Sequence, residues 1–222
     1  METTDNVVTN GTNLMAAYAT AKALTPHGQA LGADNRAVVL VPPGKYDLGT
    51  AQLEMDTEYV DVVGLSTARE NQHIYGTSNG AGTGVLRQTA DDVKIENLFV
   101  ELMDTGLSPI SNYDAKDPAA YFPDTALGNT VVRNCLFEGD DSPPRYGFSM
   151  RLAIDYSGVY EDCTGGDDSF GSHGGTASGT FNNCTAGVES FGYDGPASGT
   201  FTTCTCLLYT SPSPRDGVRG GV

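Results

Sequence analysis

The amino-acid sequence predicts an all-β protein that winds as a parallel β-helix, a solenoid whose coils contribute short strands to shared sheets. Three segments share the pattern Ser-Gly-x-aromatic-x-x-Cys-Thr, with their cysteines at Cys163, Cys184 and Cys204. A second repeat, Ser-Phe-Gly, places Phe170 and Phe191 21 residues apart. Repeats of this length with period-2 strands, a fixed turn position and no helix are typical of solenoid coils.

Each repeat follows one order of side chains: inward, outward, inward, outward, corner, inward. Gly, Asn and Asp tolerate a left-handed backbone at low cost, so a corner of these residues bends the chain sharply between two strands. The corner positions are Gly64, Asn97, Asn134, Asp162, Asn183 and Thr203, of which the threonine fits the rule least. We expect corner Asn side chains to bond neighbouring backbone groups.

The inward residues are expected to stack about 4.8 Å apart, the spacing of neighbouring strands. Two interior files follow. The first file is Val62, Ile95, Val132, Tyr160, Phe181 and Phe201. The second file is Leu65, Leu98, Cys135, Cys163, Cys184 and Cys204.

The N-terminal region predicts a helix that closes the first coil. Thr12 or Asn13 is the expected N-cap, and Pro26 follows the helix end. Such a helix would cover the open strand edges of the first coil. Its predicted apolar face is Leu14, Ala17, Tyr18, Ala21 and Leu24. After it, residues 38–41 are predicted to form a buried strand, and Tyr46, Leu48, Leu53 and Met55 to begin the inward pattern.

These motifs together resemble a known superfamily. Residues 38–48 read Val-Val-Leu-Val-Pro-Pro-Gly-Lys-Tyr-Asp-Leu, residues 60–64 read Val-Asp-Val-Val-Gly, and Asn-Leu or Asn-Cys corners follow. Over about residues 12–205 the chain resembles the pectin-lyase-like, right-handed parallel β-helix superfamily. That resemblance implies a right-handed solenoid, but not one activity, because the superfamily includes polysaccharide lyases, hydrolases, phage tail spikes and noncatalytic surface proteins. Tail spikes of this fold are commonly trimers, so the resemblance admits a trimer without specifying one.

The C-terminal segment breaks with the repeats before it. Back-translated, residues 206–216 resemble the transposon adapter of short-read sequencing libraries, and such segments are set aside before fold reasoning. We therefore expect an N-terminal segment with the capping helix at 1–36, a parallel β-helix at 37–205 and adapter-derived sequence at 206–222. The chain is then interpreted as a metagenomic fragment whose solenoid is truncated at its C-terminal end.

The charge balance excludes some partners. The 222 residues include 28 acidic and 12 basic side chains, for a net charge of −16, which disfavours nucleic acid and anionic membranes. No apolar run is long enough to insert into a membrane, and the acidic N-terminus lacks the features of a signal peptide. An extracellular or virion-associated location is the favoured interpretation.

One candidate site contains two aspartates and a histidine. Residues 166–168 read Gly-Asp-Asp and residues 172–174 read Ser-His-Gly, which resembles the motifs of polygalacturonase-like enzymes. In that family these motifs lie on different coils, whereas here Asp167, Asp168 and His173 fall in one turn. A solvated acidic turn is therefore favoured over a catalytic pair, and no catalytic residue is assigned.

Asp140 and Asp141 fall at the equivalent place one coil earlier. Four carboxylates on one edge would repel each other and raise some pKa values unless a cation such as Ca²⁺ neutralised them. Lyases of this fold combine such a site with an Arg or Lys base, for which Arg145 and Arg151 are the nearest candidates. Ca²⁺ is thus the one cofactor that the sequence admits.

Other motifs have mainly structural interpretations. The cysteines lack zinc-ligand spacing and are expected to be buried apolar filler, with a disulfide between stacked coils as the alternative. His27 and His73 show no partner and are interpreted as surface residues. Residues 104–127 are predicted to project as a loop, in which Tyr113 and Tyr121 either stack on sugar rings or pack against the solenoid.

Two functional hypotheses remain. The favoured one is a carbohydrate-associated β-helix that acts as a virion or cell-surface glycan-binding or structural module, because no complete acid/base set is visible. The alternative is a polysaccharide lyase or glycoside hydrolase acting on an acidic polysaccharide. The sequence leaves enzymatic activity undecided between them.

Overall fold

The protein is a right-handed parallel β-helix with a helix at its N-terminal end. The computed structural model describes residues 3–77, 84–103, 120–121, 128–139, 157–166, 169–170, 176–187, 190–192 and 196–206. The elements in chain order are α1 (Val7–Ala21), β1 (Ala37–Val41), β2 (Gly44–Asp47), β3 (Leu53–Met55), β4 (Val60–Gly64), β5 (Gln72–Gly76), β6 (Leu86–Gln88), β7 (Lys94–Glu96), β8 (Phe99–Leu102), β9 (Ala120–Tyr121), β10 (Val131–Arg133), β11 (Leu136–Glu138), β12 (Val159–Glu161), β13 (Thr180–Asn182), β14 (Thr185–Ala186), β15 (Thr200–Thr202) and β16 (Thr205–Cys206). None of the described helices is long and apolar enough to cross a membrane.

The strands form three faces of the solenoid, and every ladder between them is parallel. Sheet A has the order β1-β4-β7-β10-β12-β13-β15, sheet B has β2-β5-β8-β11, and sheet C has β3-β6-β9. Single bridges from Leu136 to Thr164 and from Thr164 to Thr185 carry sheet B on to the β14-β16 pair. Neighbouring strands of one sheet therefore come from successive coils.

The register of sheet A confirms the first interior file. Val62 pairs with Ile95, and the same register then runs on through Tyr160 to Phe181 and Phe201. All members are buried except the terminal phenylalanine, which is 37% exposed. Side chains of similar type thus lie directly over one another in successive coils, as the repeat predicts.

The second file is confirmed except at its first member. Leu98, Cys135, Cys163 and Cys184 are fully buried, but Leu65 is 56% exposed, so its predicted inward position is wrong. The reason is that β4 stays extended through Gly64, which itself points inward. A Cβ atom at this glycine would lie 2.1 Å from the Asn97 carbonyl oxygen, so the chain needs glycine for close packing and not for a corner.

The other predicted corners adopt the left-handed backbone conformation. Their φ angles are 57° for Asn97, 47° for Asn134, 55° for Asp162, 51° for Asn183 and 53° for Thr203. The expected side-chain ladder is also present. Asn97 Nδ2 donates to the Gly64 carbonyl at 3.1 Å, and Asn134 Nδ2 donates to the Thr67 carbonyl at 2.7 Å.

Thr203 is the strained member of the corner ladder, because positive φ costs a β-branched residue more conformational energy than it costs Asn or Asp. The Thr203→Asn variant is expected to raise the free energy of unfolding by about 0.5–1 kcal/mol, measured by urea denaturation. Thr205→Asn, at an exposed strand position two residues later, is the matched control and should give no gain. Equal effects of the two substitutions would contradict the strain at the corner.

The N-terminal helix is present but begins earlier than predicted. Asn6 is the N-cap, because its side-chain oxygen accepts the N–H groups of Val8 and Thr9, each at 3.1 Å. The predicted caps Thr12 and Asn13 are therefore wrong and lie inside the helix. The predicted face is confirmed at Leu14, Tyr18 and Ala21, whereas Leu24 lies beyond the helix end and is 47% exposed.

The helix satisfies the open edge of the first coil directly. Asn10 Nδ2 donates to the carbonyl oxygen of Lys45 in β2 at 3.1 Å, and Asn10 is only 2% exposed. Gly11 lets the helix backbone approach β2, since a Cβ atom there would lie 2.0 Å from the Asp47 carbonyl oxygen. The predicted covering of the strand edge is thus achieved by one buried amide and one close backbone contact.

The expectation of a buried strand at residues 38–41 is only half right. In β1, Val39 and Val41 are buried, but Val38 and Leu40 are about half exposed because the strand alternates. The inward pattern that follows at Tyr46, Leu48, Leu53 and Met55 is confirmed. Of the segment 104–127, predicted to project as a loop, the structure describes only residues 120–121, which form β9 beside β6 in sheet C, so the loop prediction stays open.

Candidate functional site

Most of the predicted site residues lie outside the described residues, so those predictions stay open. The residues concerned are Tyr113, Asp140, Asp141, Arg145, Arg151, Asp167, Asp168 and His173. Tyr121 is the exception, since it lies in β9 in register with Arg87 of β6, which in turn pairs with Glu54 of β3. Arg87 Nη1 donates to Glu54 Oε1 at 3.1 Å, so the neighbouring coils of sheet C carry an ion pair beside this position.

The richest described surface is the outer side of sheet B. Strand alternation buries Tyr46, Ile74, Val100 and Phe137 and turns the residues between them outward. The outward residues form two rows, each with one residue per coil. We call these two rows the sheet B face. The first row is Lys45, His73, Phe99 and Leu136. The second row is Asp47, Tyr75, Glu101 and Glu138.

Three rings cluster at the centre of this face. His73 and Phe99 are cross-strand neighbours whose rings stack at 4.2 Å between centroids with an interplanar angle of 9°. The Tyr75 ring lies 5.0 Å from that of His73, tilted by 44°. Stacking fixes the orientation of the imidazole, so its nitrogens point in defined directions.

The imidazole is also held by a carboxylate. His73 Nε2 lies 2.6 Å from Glu101 Oε2, with the two side chains 13% and 29% exposed. His73 lies on the outer side of sheet B, in agreement with its prediction as a surface residue, but it has a partner that the sequence does not reveal. The sequence repeat covers sheet A and its corners, whereas this pair lies diagonally across two coils of sheet B, so the repeat does not indicate it.

Burial sets the protonation state of the histidine. Burial lowers the pKa of His73, as does nearby Lys45 to a smaller extent, while the Glu101 carboxylate and its hydrogen bond oppose the shift. The imidazole is then neutral near pH 7, with Nε2–H donating to Glu101 and Nδ1 left as a hydrogen-bond acceptor. Burial, with Asp47 and Glu101, raises the pKa of Tyr75, so its hydroxyl stays protonated.

The sheet B face thus offers fixed donors, acceptors and ring surface on a rigid support. Within the part of the chain that the structure describes, no group of three or more His, Cys, Asp and Glu side chains could hold a metal ion. What the arrangement can do chemically is contact a ligand that carries both apolar C–H surface and hydroxyl groups. It can also accept a proton at the oriented imidazole.

Comparisons with known proteins identify similar folds only. No protein-family model matches the sequence, and no curated protein matches it. Among solved structures, the fold is similar to a pectin methylesterase in complex with hexasaccharide VII, with a TM-score of 0.55, 16% identity and coverage of 87% of this chain and 62% of that one. The fold is also similar to pectin methylesterase PemA from Erwinia chrysanthemi, with a TM-score of 0.51 and 17% identity. This match covers 78% of this chain and 50% of that one.

A pectin methylesterase mutant in complex with hexasaccharide IV gives a TM-score of 0.52 at 17% identity, covering 85% of this chain and 52% of that one. The chain therefore spans 50–62% of the length of these solved structures. At such low identity the likeness establishes the parallel β-helix fold.

Proposed function

We propose that this protein is a glycan-binding β-helix module of a virion or cell surface, and that the sheet B face contacts the glycan. The observation that carries the proposal is the ring cluster of His73, Tyr75 and Phe99, held beside the Glu101 carboxylate. Aromatic rings with polar edges match a sugar, which has an apolar C–H side and a rim of hydroxyl groups.

The rigidity of the support favours this role. The strands that carry the rings belong to a parallel ladder whose inner side chains Ile74 and Val100 are fully buried. The His73 and Phe99 rings are stacked on each other before any ligand arrives. Little side-chain freedom would be lost on binding, so shallow contacts are enough for measurable affinity.

The charge of the face points to an uncharged or esterified glycan. Asp47, Glu101 and Glu138 supply three carboxylates against the single ammonium group of Lys45. The whole chain carries a net charge of −16. A polyuronate would be repelled at low ionic strength, whereas a neutral chain of sugars would not.

The solved structures of similar fold are consistent with this proposal. Two of them are pectin methylesterases in complex with hexasaccharides, so proteins of this fold can bind an oligosaccharide. The contribution of those structures is the fold alone, and the contact residues proposed here come from this chain.

The Phe99→Ala and Tyr75→Ala variants test the proposal. Each is expected to weaken binding to a neutral arabinogalactan or a highly esterified pectin by about 5- to 30-fold, as loss of a central interface ring does. Binding is measured by affinity electrophoresis and calorimetry. Leu40→Ala, at an exposed position of sheet A, is the matched control and should leave binding unchanged. Polygalacturonate should bind more weakly, and its binding should rise with salt.

The proposal is wrong if none of these polysaccharides binds, or if Leu40→Ala weakens binding as much as the two ring variants. Circular dichroism of each variant separates loss of contact from loss of folding.

The oriented His73 imidazole favours a second candidate function, a polysaccharide lyase or hydrolase. A neutral imidazole whose Nε2–H is held by Glu101 has the geometry of a general base. New unsaturated ends would indicate a lyase and new reducing ends a hydrolase, and either activity should fall in the Glu101→Gln variant. Retention of glycan with no new chain ends supports the binding module.

A further inference from the structure

One connection between sheet A and sheet B is longer than the others. In the other described coils, two residues lie between the sheet A strand and the next residue paired in sheet B, as at 97–98 in the third coil. In the second coil, which contains β4, β5 and β6, residues 65–71 lie between β4 and β5. We call residues 65–71 the strap. Its last part is a 3₁₀ turn at Arg69–Asn71, and its extra length lets it contact coils beyond the next one.

The strap bonds a corner residue two coils away. The Thr67 carbonyl accepts Asn134 Nδ2 at 2.7 Å, and Asn134 is the corner residue of the fourth coil. The corner residue of the third coil, Asn97, donates instead to the Gly64 carbonyl just before the strap, at 3.1 Å. The strap therefore lies along the corner ladder and crosses the third coil.

Arg69 extends the strap to the fifth coil. Its Nη1 donates to the Cys135 carbonyl of the fourth coil at 2.8 Å and to the Asp162 carbonyl of the fifth coil at 2.9 Å. Its Nη2 donates to the hydroxyl oxygen of Thr164, also in the fifth coil, at 3.0 Å. The side chain is only 18% exposed, and hydrogen bonds from a charged donor are stronger than neutral ones. One guanidinium thus joins coils that are three ladder steps, or about 14 Å, apart.

The base of the strap is fixed by a buried amide. Gln72 is fully buried, and its amide oxygen accepts the Ser66 N–H at 2.8 Å while its amide nitrogen donates to the Asn97 carbonyl at 3.1 Å. Ser66 Oγ in turn accepts Asn71 Nδ2 at 3.1 Å and the Ala68 N–H at 3.2 Å. These bonds hold the strap in one conformation, so it is a rigid connection and not a slack loop.

A contact that skips a coil changes how a solenoid opens. The coils of a solenoid normally contact only their neighbours, so its stability is a sum of neighbour interactions and the end coils can open alone. The bonds of Arg69 are lost whenever the fifth coil separates from the second, whichever intervening coil opens. We propose that the strap couples the second coil to the fifth, so that these four coils open as one cooperative unit.

Hydrogen exchange of the full chain, resolved for single amides by NMR, tests this coupling. In the Arg69→Ala variant, the N–H groups of Val159 and Thr164, which bond the fourth coil, should exchange about 10- to 100-fold faster. The reason is that opening of the fifth coil no longer breaks the bonds of a charged donor. The Ala37 N–H of the first coil should exchange at an unchanged rate, because the lost bonds lie in the fourth and fifth coils. Arg69→Lys keeps the charge but lacks the planar fork of donors, so its acceleration should be smaller.

Arg133→Ala is the matched control. Arg133 is 47% exposed, and its ion pairs with Glu96 and Glu161 join only neighbouring coils. Its removal should accelerate the same amides less than about 5-fold, the scale of an exposed ion pair. Unchanged exchange in Arg69→Ala, acceleration confined to residues 65–72, or equal acceleration in the two alanine variants would overturn the coupling. Circular dichroism shows whether each variant is folded, and Arg69→Lys provides the comparison if Arg69→Ala is not.

Discussion

Truncation of Phe181 to alanine is expected to lower the free energy of unfolding by about 3–5 kcal/mol, the cost of removing a buried aromatic ring from a packed core. Phe181 is fully buried and is the fifth of the six members of the first file. Its ring stacks on Tyr160 at 4.9 Å and on Phe201 at 5.0 Å, with interplanar angles of 9° and 4°.

A second stack meets this one edge to face. Phe170 and Phe191 stack on each other at 4.9 Å, and each presents an edge to Phe181, at 5.8 Å and 5.7 Å. The substitution therefore removes two stacked and two edge contacts together and leaves a cavity that the solenoid cannot close without shifting whole coils.

Urea denaturation of the variant measures the loss, and Phe201→Ala is the matched control. Phe201 has the same ring at the end of the file, but it is 37% exposed and should cost about 1–2 kcal/mol. Equal losses at the two positions would contradict the greater contribution of the fully buried Phe181 ring to the core.

The second large effect is expected at a buried ion pair. The Asp61→Ala variant should be about 3–5 kcal/mol less stable, because it leaves the Arg36 guanidinium without its carboxylate partner. Arg36 Nε donates to Asp61 Oδ2 at 2.7 Å and Nη2 donates to Asp61 Oδ1 at 2.5 Å. Asp61 is 3% exposed and also accepts the backbone N–H of Lys94 at 2.8 Å.

Glu161→Ala is the control for this prediction. Glu161 accepts from Arg133 Nε at 2.5 Å, but the two side chains are 31% and 47% exposed, so solvent screens the pair. Its removal should cost about 1 kcal/mol or less in thermal or urea unfolding. A loss at Asp61 no larger than that at Glu161 would show that the Arg36 pair adds little to the first coils.

The interior files could be predicted because the repeat determines the spacing of the inward residues and the face of the strand on which each residue lies. The motif that ends in Cys163, Cys184 and Cys204 carries an aromatic three residues before each cysteine, and both positions face inward in every copy. The corner residues could be predicted as well, because few residue types tolerate positive φ. Thr203 adopts positive φ although its residue type disfavours it. This shows that packing of the neighbouring coils determines the backbone conformation there.

The errors at Gly64 and at the start of the helix share one physical origin, which is close contact with a backbone far away in the sequence. Gly64 looked like a corner but is an inward strand residue against Asn97. The helix start was predicted at Thr12 or Asn13, yet Asn10 and Gly11 lie inside the helix and both contact β2. Each residue is explained only by a strand that lies far away in sequence.

The candidate site was less predictable than the fold. Tyr121 was selected as an aromatic in a presumed loop, and its strand partners Arg87 and Glu54 emerge only from the register of sheet C. The His73–Glu101 contact combines residues 28 positions apart that belong to different rows of sheet B. The strand after the corner begins two residues after Asn97 but eight residues after Gly64, so the repeat does not place His73.

The central claim is that successive coils stack in register and place like side chains over like. Nuclear Overhauser contacts in protein labelled selectively at cysteine test it most directly, since the second file contains four cysteines on consecutive coils. The structure predicts contacts from Cys135 to Cys163, from Cys163 to Cys184 and from Cys184 to Cys204, and none between cysteines two coils apart. Contacts that skip a coil, or the absence of contacts between consecutive cysteines, would contradict the stacked solenoid.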